Sequence, residues 1–269
     1  MKKIEFFQFA VLPAILCATL FFACSDEFPE IDFASLAKGS DYEYCMFKDD
    51  GLCLKGPFKV CSAGGELSDR CSYYGSATDS RDNKTYKTVT IGTQIWMAGN
   101  LNYNTNDSKC YENKDENCAK YGRLYNWKTA MNHSEVDNTK EVDNTNNVQG
   151  VCPADWHLPS HKEWNVMVNY IKGSNDNATT GKKLKATSDW NDYQEASGNG
   201  TDNYGFSALP GGYSNSDGSF DHAGEIGYWW SASVYSNNPY YWYMNYNSDS
   251  VKSGNIGSEV LFSVRCVKN

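Results

Sequence analysis

Apolar residues recur at helical spacing after Ser160, which is the clearest periodic pattern in the chain. Glu163 follows Ser160 by three residues, and this spacing predicts a capping box in which each side chain satisfies a backbone N–H of the first helical turn. Gly173 is expected to end the helix. One face of that helix would bury Trp164, Met167, Val168 and Ile171.

Alternating apolar and polar residues predict strands elsewhere. Val89 and Ile91 alternate with threonines, and Gly92 and Thr93 turn the chain into 94–97, so a β-hairpin opens the main domain. A turn is expected at 210–212. Further strand patterns cover 204–209, 228–234, 240–247, 251–256 and 260–267.

A second helix is predicted over Ala119–Met131, because Tyr121, Leu124 and Tyr125 fall on one helical face. Two helices followed by a run of short antiparallel strands predict an α+β fold. Residues 132–149 are almost free of apolar side chains and are expected to form an exposed, variable loop.

The composition divides the chain into four predicted segments. Residues 1–23 are expected to be a signal peptide, 24–40 an acidic lipidated tether, 41–77 a small cysteine-rich module, and 78–269 the main domain. The module contains too little apolar side chain to fold without cross-links. It is either a covalently tied spacer or a binding element.

The N-terminus carries two lysines, then an apolar run that ends before Cys24. This pattern resembles a bacterial lipoprotein signal that is cleaved before Cys24, and it predicts lipidation there; a plain signal peptide is the alternative. Because each buried CH₂ of an acyl chain contributes about 0.8 kcal/mol, an acylated Cys24 would hold the protein on a membrane surface. We therefore expect an exported protein of the outer membrane or cell surface.

The net charge is −9, and removal of residues 1–23 changes it to −10, with 22 basic and 32 acidic residues left. Such a surface repels polyanions, and no basic patch interleaved with aromatic residues is present in the sequence. Nucleic acid and anionic lipid are therefore not expected as partners.

Without Cys17 and Cys24, eight of the ten cysteines remain, an even number in a chain expected to be exported. Such a set predicts disulfides rather than metal ligands or thiols. The N-terminal group, with its pairing left open among three connectivities, is Cys45, Cys53, Cys61 and Cys71. In the remaining group we expect the pairs Cys110–Cys118 and Cys152–Cys266.

No catalytic constellation is recognisable. His157 and His161 are four residues apart, but Pro159 between them prevents one helical face from presenting both, so a zinc-protease pair is excluded. Each is expected to be a structural histidine. The chain lacks a phosphate loop and a G-x-S-x-G nucleophile elbow. We expect no cofactor and no metal.

Aromatic residues crowd into positions 229–246. Alternation on a strand places Tyr241 and Tyr243 opposite Tyr240 and Trp242, so one row is exposed unless the strand is covered twice. Flat rings can stack on a sugar while nearby amides bond its hydroxyls. The candidate carbohydrate-binding residues are Tyr235, Tyr240, Tyr241, Tyr243 and Asn245. The alternative is that the rings only fill the core, as we expect for Trp229 and Trp230.

Six blocks of sequence together resemble the Fibrobacter succinogenes major paralogous domain. They occur in the family's order between residues 78 and 269, and the cysteine-rich segment 41–77 is similar to the leader of many such domains. The blocks are Thr93–Tyr103, Tyr121–Trp127, Trp156–Ser160, Gly205–Gly212, Gly227–Ser231 and Phe262–Val267.

The helix start at 158–164 and the closing strand at 264–267 are also distantly similar to the formylglycine-generating and sulfatase-modifying group. That resemblance implies a C-type-lectin-like fold with its N- and C-terminal strands side by side. It does not transfer activity, since those enzymes use a reactive cysteine pair. The tripeptide 190–192 matches a lectin calcium motif, but it lies early and lacks the accompanying Glu-Pro-Asn segment.

The resembled family is associated with surface proteins of fibre-degrading bacteria, so the resemblance implies a surface protein. We therefore expect a non-catalytic lipoprotein that binds plant-type neutral polysaccharide such as cellulose or hemicellulose. The first alternative is a module that binds another surface protein. The second is an enzyme of the formylglycine-generating type, which would need a free thiol.

Overall fold

The computed structural model describes residues 45–47, 58–61, 72–132, 148–173 and 177–269. The chain divides into two compact units, residues 1–71 and 72–269. In the first unit, β1 (Cys45–Phe47) and β2 (Phe58–Cys61) pair in parallel.

Several predictions lie outside the described residues. They are the signal peptide 1–23, the tether 24–40 with lipidation at Cys24, most of the loop 132–149, and the side chains of Cys45, Cys53, Cys61 and Cys71.

The second unit contains thirteen described strands in two sheets. They are β3 (Ser72–Thr78), β4 (Thr85–Ile91), β5 (Gln94–Met97), β6 (Ser108–Lys109), β7 (Leu124–Asn126), β8 (Trp156–His157), β9 (Gly211–Ser214), β10 (Phe220–Ala223), β11 (Ile226–Tyr235), β12 (Asn238–Asn245), β13 (Val251–Asn255), β14 (Leu261–Ser263) and β15 (Val267–Lys268).

Within this unit one sheet has the strand order β3-β4-β5-β15-β8, and all of its pairs are antiparallel. The other has the order β13-β12-β11-β9-β14-β7-β6, with β10 paired to β9. The last strand, β15, lies between β5 and β8, so the two ends of the domain meet in one sheet.

Four short helices complete the unit. None of the described helices is long and apolar enough to cross a membrane. With helix making up 19 % and strand 35 % of the structure, the fold is mixed, as the predicted α+β class requires. The helices are α1 (Asp115–Tyr121), α2 (Trp127–Ala130), α3 (His161–Lys172) and α4 (Thr180–Leu184), with 3₁₀ turns at Tyr111–Asn113 and Asn177–Thr179.

Helix α3 forms as the sequence predicts. The Ser160 hydroxyl accepts the Glu163 N–H at 3.2 Å, and the Glu163 carboxylate accepts the Ser160 N–H at 2.8 Å. The capping box and the end at Gly173 are therefore confirmed. Its buried face is Trp164, Met167, Val168 and Ile171.

Two groups of buried residues form the core. The helix-side core, between α3 and both sheets, includes Trp96, Trp164, Met167, Ile171, Phe206, Trp229, Trp242 and Met244. The disulfide-side core includes Met97, Tyr125, Trp127, Cys152, Trp230, Phe262, Val264 and Cys266.

Both predicted disulfides of the main domain are confirmed. Cys152–Cys266 joins residues 114 apart and is fully buried, so it ties the start of the α3 segment to the last strands. Cys110–Cys118 closes a loop across eight positions.

The predicted helix Ala119–Met131 is wrong as one continuous element, since only its two ends are helical, in α1 and α2. Helix α1 ends at Tyr121, and the position after it requires glycine, because Gly122 has a positive φ of 75° and a β-carbon there would lie 2.8 Å from the Asn100 side chain. The chain then enters β7, where Tyr125 pairs with Phe262 of β14. Pairing between distant segments outweighs the local helical pattern.

Two strand predictions need correction. Segment 204–209 forms only an isolated bridge between Ala208 and Lys185, while the expected turn at 210–212 begins strand β9. The predicted strand 260–267 is divided into β14 and β15, which belong to different sheets. The hairpin of β4 and β5 is confirmed.

Candidate functional site

Strand β12 separates two environments. It lies between β11 and β13, so alternate side chains point to opposite faces of the sheet. Trp242 and Met244 belong to the helix-side core, with 4 % and 1 % of their surface exposed. Tyr241 and Tyr243 point to the other face and are half-buried.

The face towards α3 is a packed column of rings. Trp164 and Trp242 stack at 5.7 Å with an interplanar angle of 16°, and His161 stacks on Tyr240 at 4.2 Å. Tyr235 lies 6.1 Å from Tyr240 at the tip of the β11–β12 hairpin. This side of β12 therefore anchors the strand to the helix.

The opposite face carries the candidate site, which we call the tyrosine face: Tyr213, Tyr228, Tyr241 and Tyr243. All four side chains are half-buried. The ring centroids of Tyr213 and Tyr228 are 5.5 Å apart, those of Tyr228 and Tyr243 6.0 Å, and those of Tyr241 and Tyr243 5.8 Å. The four rings thus form one continuous patch.

Strand register places these rings side by side. Tyr243 is directly opposite Tyr228 in the β11–β12 pair. Gly227 pairs with Gly212 in parallel, which brings the next residues of β11 and β9, Tyr228 and Tyr213, alongside each other. The patch therefore depends on the β11–β12 hairpin and on its parallel pairing with β9.

Buried rings and a glycine support the patch from below. Phe262, which is 2 % exposed, stacks on Tyr228 at 4.8 Å with an interplanar angle of only 8°. Tyr241 lies across Gly254, where an added β-carbon would be 2.8 Å from its hydroxyl. A side chain at Gly254 would displace the Tyr241 ring.

The hydroxyls of the tyrosine face are available to a ligand. No hydrogen bond from these four hydroxyls is present within residues 75–132, 148–173 and 178–269, and each hydroxyl can both donate and accept. Burial raises the pKa of Tyr228 and of Tyr241 above the ordinary 10.0. Both phenols therefore remain uncharged donors through the physiological range.

A buried polar centre holds β11 in place beneath this patch. The Asn100 side-chain oxygen accepts hydrogen bonds from Trp229 Nε1 at 2.8 Å and from Arg265 Nη2 at 2.7 Å. Its amide nitrogen donates to the Tyr121 carbonyl at 2.8 Å. Burial lowers the pKa of Arg265 to about 9. Because Arg265 is fully buried, this centre stabilises the fold and does not face a ligand.

The geometry around His157 agrees with the structural role predicted for it. His157 is 2 % exposed, and its Nε2 lies 2.7 Å from the Glu163 carboxylate. Burial alone would raise the pKa of Glu163, but hydrogen bonds from His157 and Ser160 lower it. His157 therefore contacts the carboxylate that forms part of the α3 capping box.

The five predicted carbohydrate-binding residues do not form one group. Tyr241 and Tyr243 belong to the tyrosine face, whereas Tyr235 and Tyr240 lie on the helix side of the sheet. Asn245 follows Tyr243 by two residues, and its side-chain oxygen accepts the Asn247 N–H at 3.2 Å, so it closes a turn.

Tyr213 and Tyr228 were not predicted as site residues. Alternation along β11 places Tyr228 on the same side as Trp230, which is a usable local signal. Tyr213 has no such signal, because its neighbours are set by the pairing of β9 with β11.

Metal ligation finds no support in the described part of the chain, where no group of three or more His, Cys, Asp or Glu side chains could hold an ion. In the lectin-like tripeptide, Trp190 is buried and its indole N–H donates to the Ala208 carbonyl at 3.0 Å. Asn191 donates its backbone N–H to Gly224.

Comparison with known proteins identifies the family. A family model described as the Fibrobacter succinogenes major domain matches residues 89–268, which is more than half of the chain. That span includes the tyrosine face, the Asn100–Arg265 centre and both disulfides of the second unit. No curated protein and no solved structure matches the chain. The chain belongs to the Fibrobacter succinogenes major domain family.

Proposed function

We propose that the protein is a non-catalytic cell-surface lipoprotein that binds plant-type neutral polysaccharide, such as cellulose or hemicellulose, through the tyrosine face. The observation that carries the proposal is the cluster of four half-buried tyrosines on one sheet face, with ring centroids 5.5–6.0 Å apart between neighbours. Their hydroxyls make no hydrogen bond among the described residues.

Tyrosine suits a sugar because it combines an apolar ring with a polar rim. Pyranose rings present C–H groups and hydroxyls together, so a ligand of this kind can contact the apolar edge of a tyrosine ring and hydrogen-bond its hydroxyl. The rings are already ordered by Phe262 and by one another, which reduces the entropy lost on binding.

Charge favours a neutral polymer. The whole chain carries a net charge of −9, and the four side chains that define the tyrosine face include no acidic or basic residue. An anionic polymer would be repelled by the protein as a whole.

Export and anchoring are part of the proposal. The N-terminal pattern before Cys24 supports a lipid anchor on the outer membrane or cell surface. The two disulfides of the second unit favour an oxidising compartment and are consistent with export.

We also propose that the main domain is C-type-lectin-like. The pairing of β15 with β5, a strand of the opening hairpin, supports this, since that fold brings N-terminal and C-terminal strands side by side. Two observations argue against formylglycine-type chemistry, which needs a reactive thiol: Cys110 is bonded to Cys118 and Cys152 to Cys266.

Co-sedimentation of purified protein with insoluble cellulose and xylan tests the proposal, with a glycan array as a wider screen. We expect binding that Tyr243→Ala weakens by at least about tenfold and that Tyr235→Ala leaves unchanged, since Tyr235 lies on the opposite side of the sheet. A folded protein that binds no glycan in either assay would refute the proposal and favour a protein partner.

A further inference from the structure

Charged and aromatic side chains form a single row across five strands of the second sheet. On β12, Tyr243 is directly opposite Tyr228 of β11 on one side and Lys252 of β13 on the other. On β9, Tyr213 is opposite Asp221 of β10. Directly opposite residues point to the same face of a sheet, so all five side chains belong to one surface.

The row runs at right angles to the strands. Its order is Lys252, Tyr243, Tyr228, Tyr213 and Asp221, on β13, β12, β11, β9 and β10. With about 4.8 Å between neighbouring strands, the four steps give a length of roughly 19 Å. One pyranose unit of an extended chain advances by about the distance between two strands.

We infer, on the basis of the proposed function, that this row binds an extended linear polysaccharide laid across the strands, with one sugar unit over each strand. The two ends of the row supply charged hydrogen-bonding groups, the Lys252 ammonium and the Asp221 carboxylate, which are both exposed. These opposite charges cancel, so the row as a whole matches a neutral chain.

Ring orientation determines the kind of contact. Tyr228 has Phe262 stacked against it at 4.8 Å from the β14 side, and Tyr243 lies 6.0 Å away on the β12 side. Its ring faces are therefore occupied, and its edge with the hydroxyl is what a ligand can reach. Recognition through such edges relies on hydrogen bonds that are individually weak.

Chain length then decides affinity. A disaccharide reaches only two positions of the row, whereas a pentasaccharide can reach all five. Because the contacts are weak and lie in a line, each added sugar should strengthen binding until the row is full.

Calorimetric titration of the purified protein with cello- and xylo-oligosaccharides, from disaccharide to hexasaccharide, tests the inference. We expect affinity to rise with each unit up to the pentasaccharide and then to level off. Tyr213→Phe and Tyr228→Phe keep the ring and remove one hydroxyl, and each should weaken pentasaccharide binding by about three- to tenfold. Tyr235→Phe is the matched control and should have no effect.

Asp221→Asn tests one end of the row. It should weaken binding of the pentasaccharide and leave that of the disaccharide unchanged. If cellulose or xylan binds in a Tyr243-dependent way but the hexasaccharide binds no tighter than the disaccharide, the row is wrong and the proposed function stands. If polymer binding survives Tyr243→Ala, or no glycan binds, the proposed function itself fails and the row with it.

Discussion

The two faces of strand β12 differ in what their aromatic side chains do. On the helix side, Trp242 is 4 % exposed and stacks on Trp164, so its ring contributes to the core. On the other side, Tyr241 and Tyr243 are half-buried and have free hydroxyls among the described residues. Aromatic content alone therefore does not separate core rings from accessible rings, whereas the burial of each ring and the partners of its polar atoms do.

The polar groups of the buried Asn100 centre and of the tyrosine face differ in whether they have hydrogen-bond partners. Beneath β11, the Asn100 side chain is satisfied by Trp229, Arg265 and the Tyr121 carbonyl. The tyrosine face leaves its polar atoms for solvent or a ligand. Among the described residues, the polar groups of the buried centre are thus paired within the protein, whereas the hydroxyls of the proposed recognition surface are not.

The largest expected effect is from truncation on the helix side. Trp242→Ala should lower the free energy of unfolding by about 3–5 kcal/mol, because it removes a buried ring and leaves a cavity against Trp164. Urea denaturation measures the change. The matched variant Tyr243→Ala should cost less than about 1 kcal/mol, and an equal loss for both would show that the tyrosine face is core.

Removing the hydrogen-bond acceptor of the buried polar centre should lower the free energy of unfolding by nearly as much. Asn100→Ala removes the oxygen that accepts from Arg265 and Trp229, and leaving these buried donors with one acceptor fewer should cost about 3 kcal/mol, even though Arg265 still donates to the Phe206 carbonyl. Thermal denaturation with Asn102→Ala as control checks this. A loss below about 1 kcal/mol would mean that water replaces the missing acceptor.

The two disulfides should rank by the length of the loop that each closes. By restricting the unfolded chain, Cys152–Cys266 should stabilise the folded state by about 4.8 kcal/mol and Cys110–Cys118 by about 2.6 kcal/mol. Replacing each pair by alanine and measuring the midpoint of denaturant unfolding compares them. A reversed order would indicate that the short loop, which carries Tyr111 against Phe220, stabilises the neighbouring sheet by packing.

Sequence patterns predicted the parts of the fold that local chemistry determines. The capping box of α3 and the hairpin of β4 and β5 depend on residues close together in the chain. The helix expected at 119–131 is interrupted, because Gly122 is packed closely against Asn100 at the end of α1 and because β7 pairs with β14. Neither constraint is visible in a local window.

The candidate site shows the same limit. Tyr241 and Tyr243 could be placed on one face of the strand from the sequence, because alternation separates them from Trp242. The place of Tyr213 beside Tyr228 could not be predicted, because it depends on a parallel pairing between β9 and β11. Likewise, Asn100 and Arg265 meet across 165 positions of sequence.

The smallest expected effect concerns alkaline pH. Burial raises the pKa of Tyr86 to about 12 and that of Tyr228 and Tyr241 above 10.0. The folded state therefore holds these protons longer than the unfolded state, so the contribution of these tyrosines to stability should be constant below pH 10 and decline as pH rises towards 12. Absorbance of phenolate during a pH titration measures this. A full tyrosine transition near pH 10 without unfolding would contradict it.

Binding isotherms on insoluble cellulose and xylan test the contrast between the two faces most directly. Tyr243→Ala should lose at least about tenfold in affinity, equivalent to about 1.4 kcal/mol, while its unfolding free energy stays near that of the parent. Tyr235→Ala, at the 47 % exposed ring on the other side, should bind as the parent does. Equal losses for both variants, or a loss for Tyr235→Ala alone, would contradict the assignment of recognition to the tyrosine face.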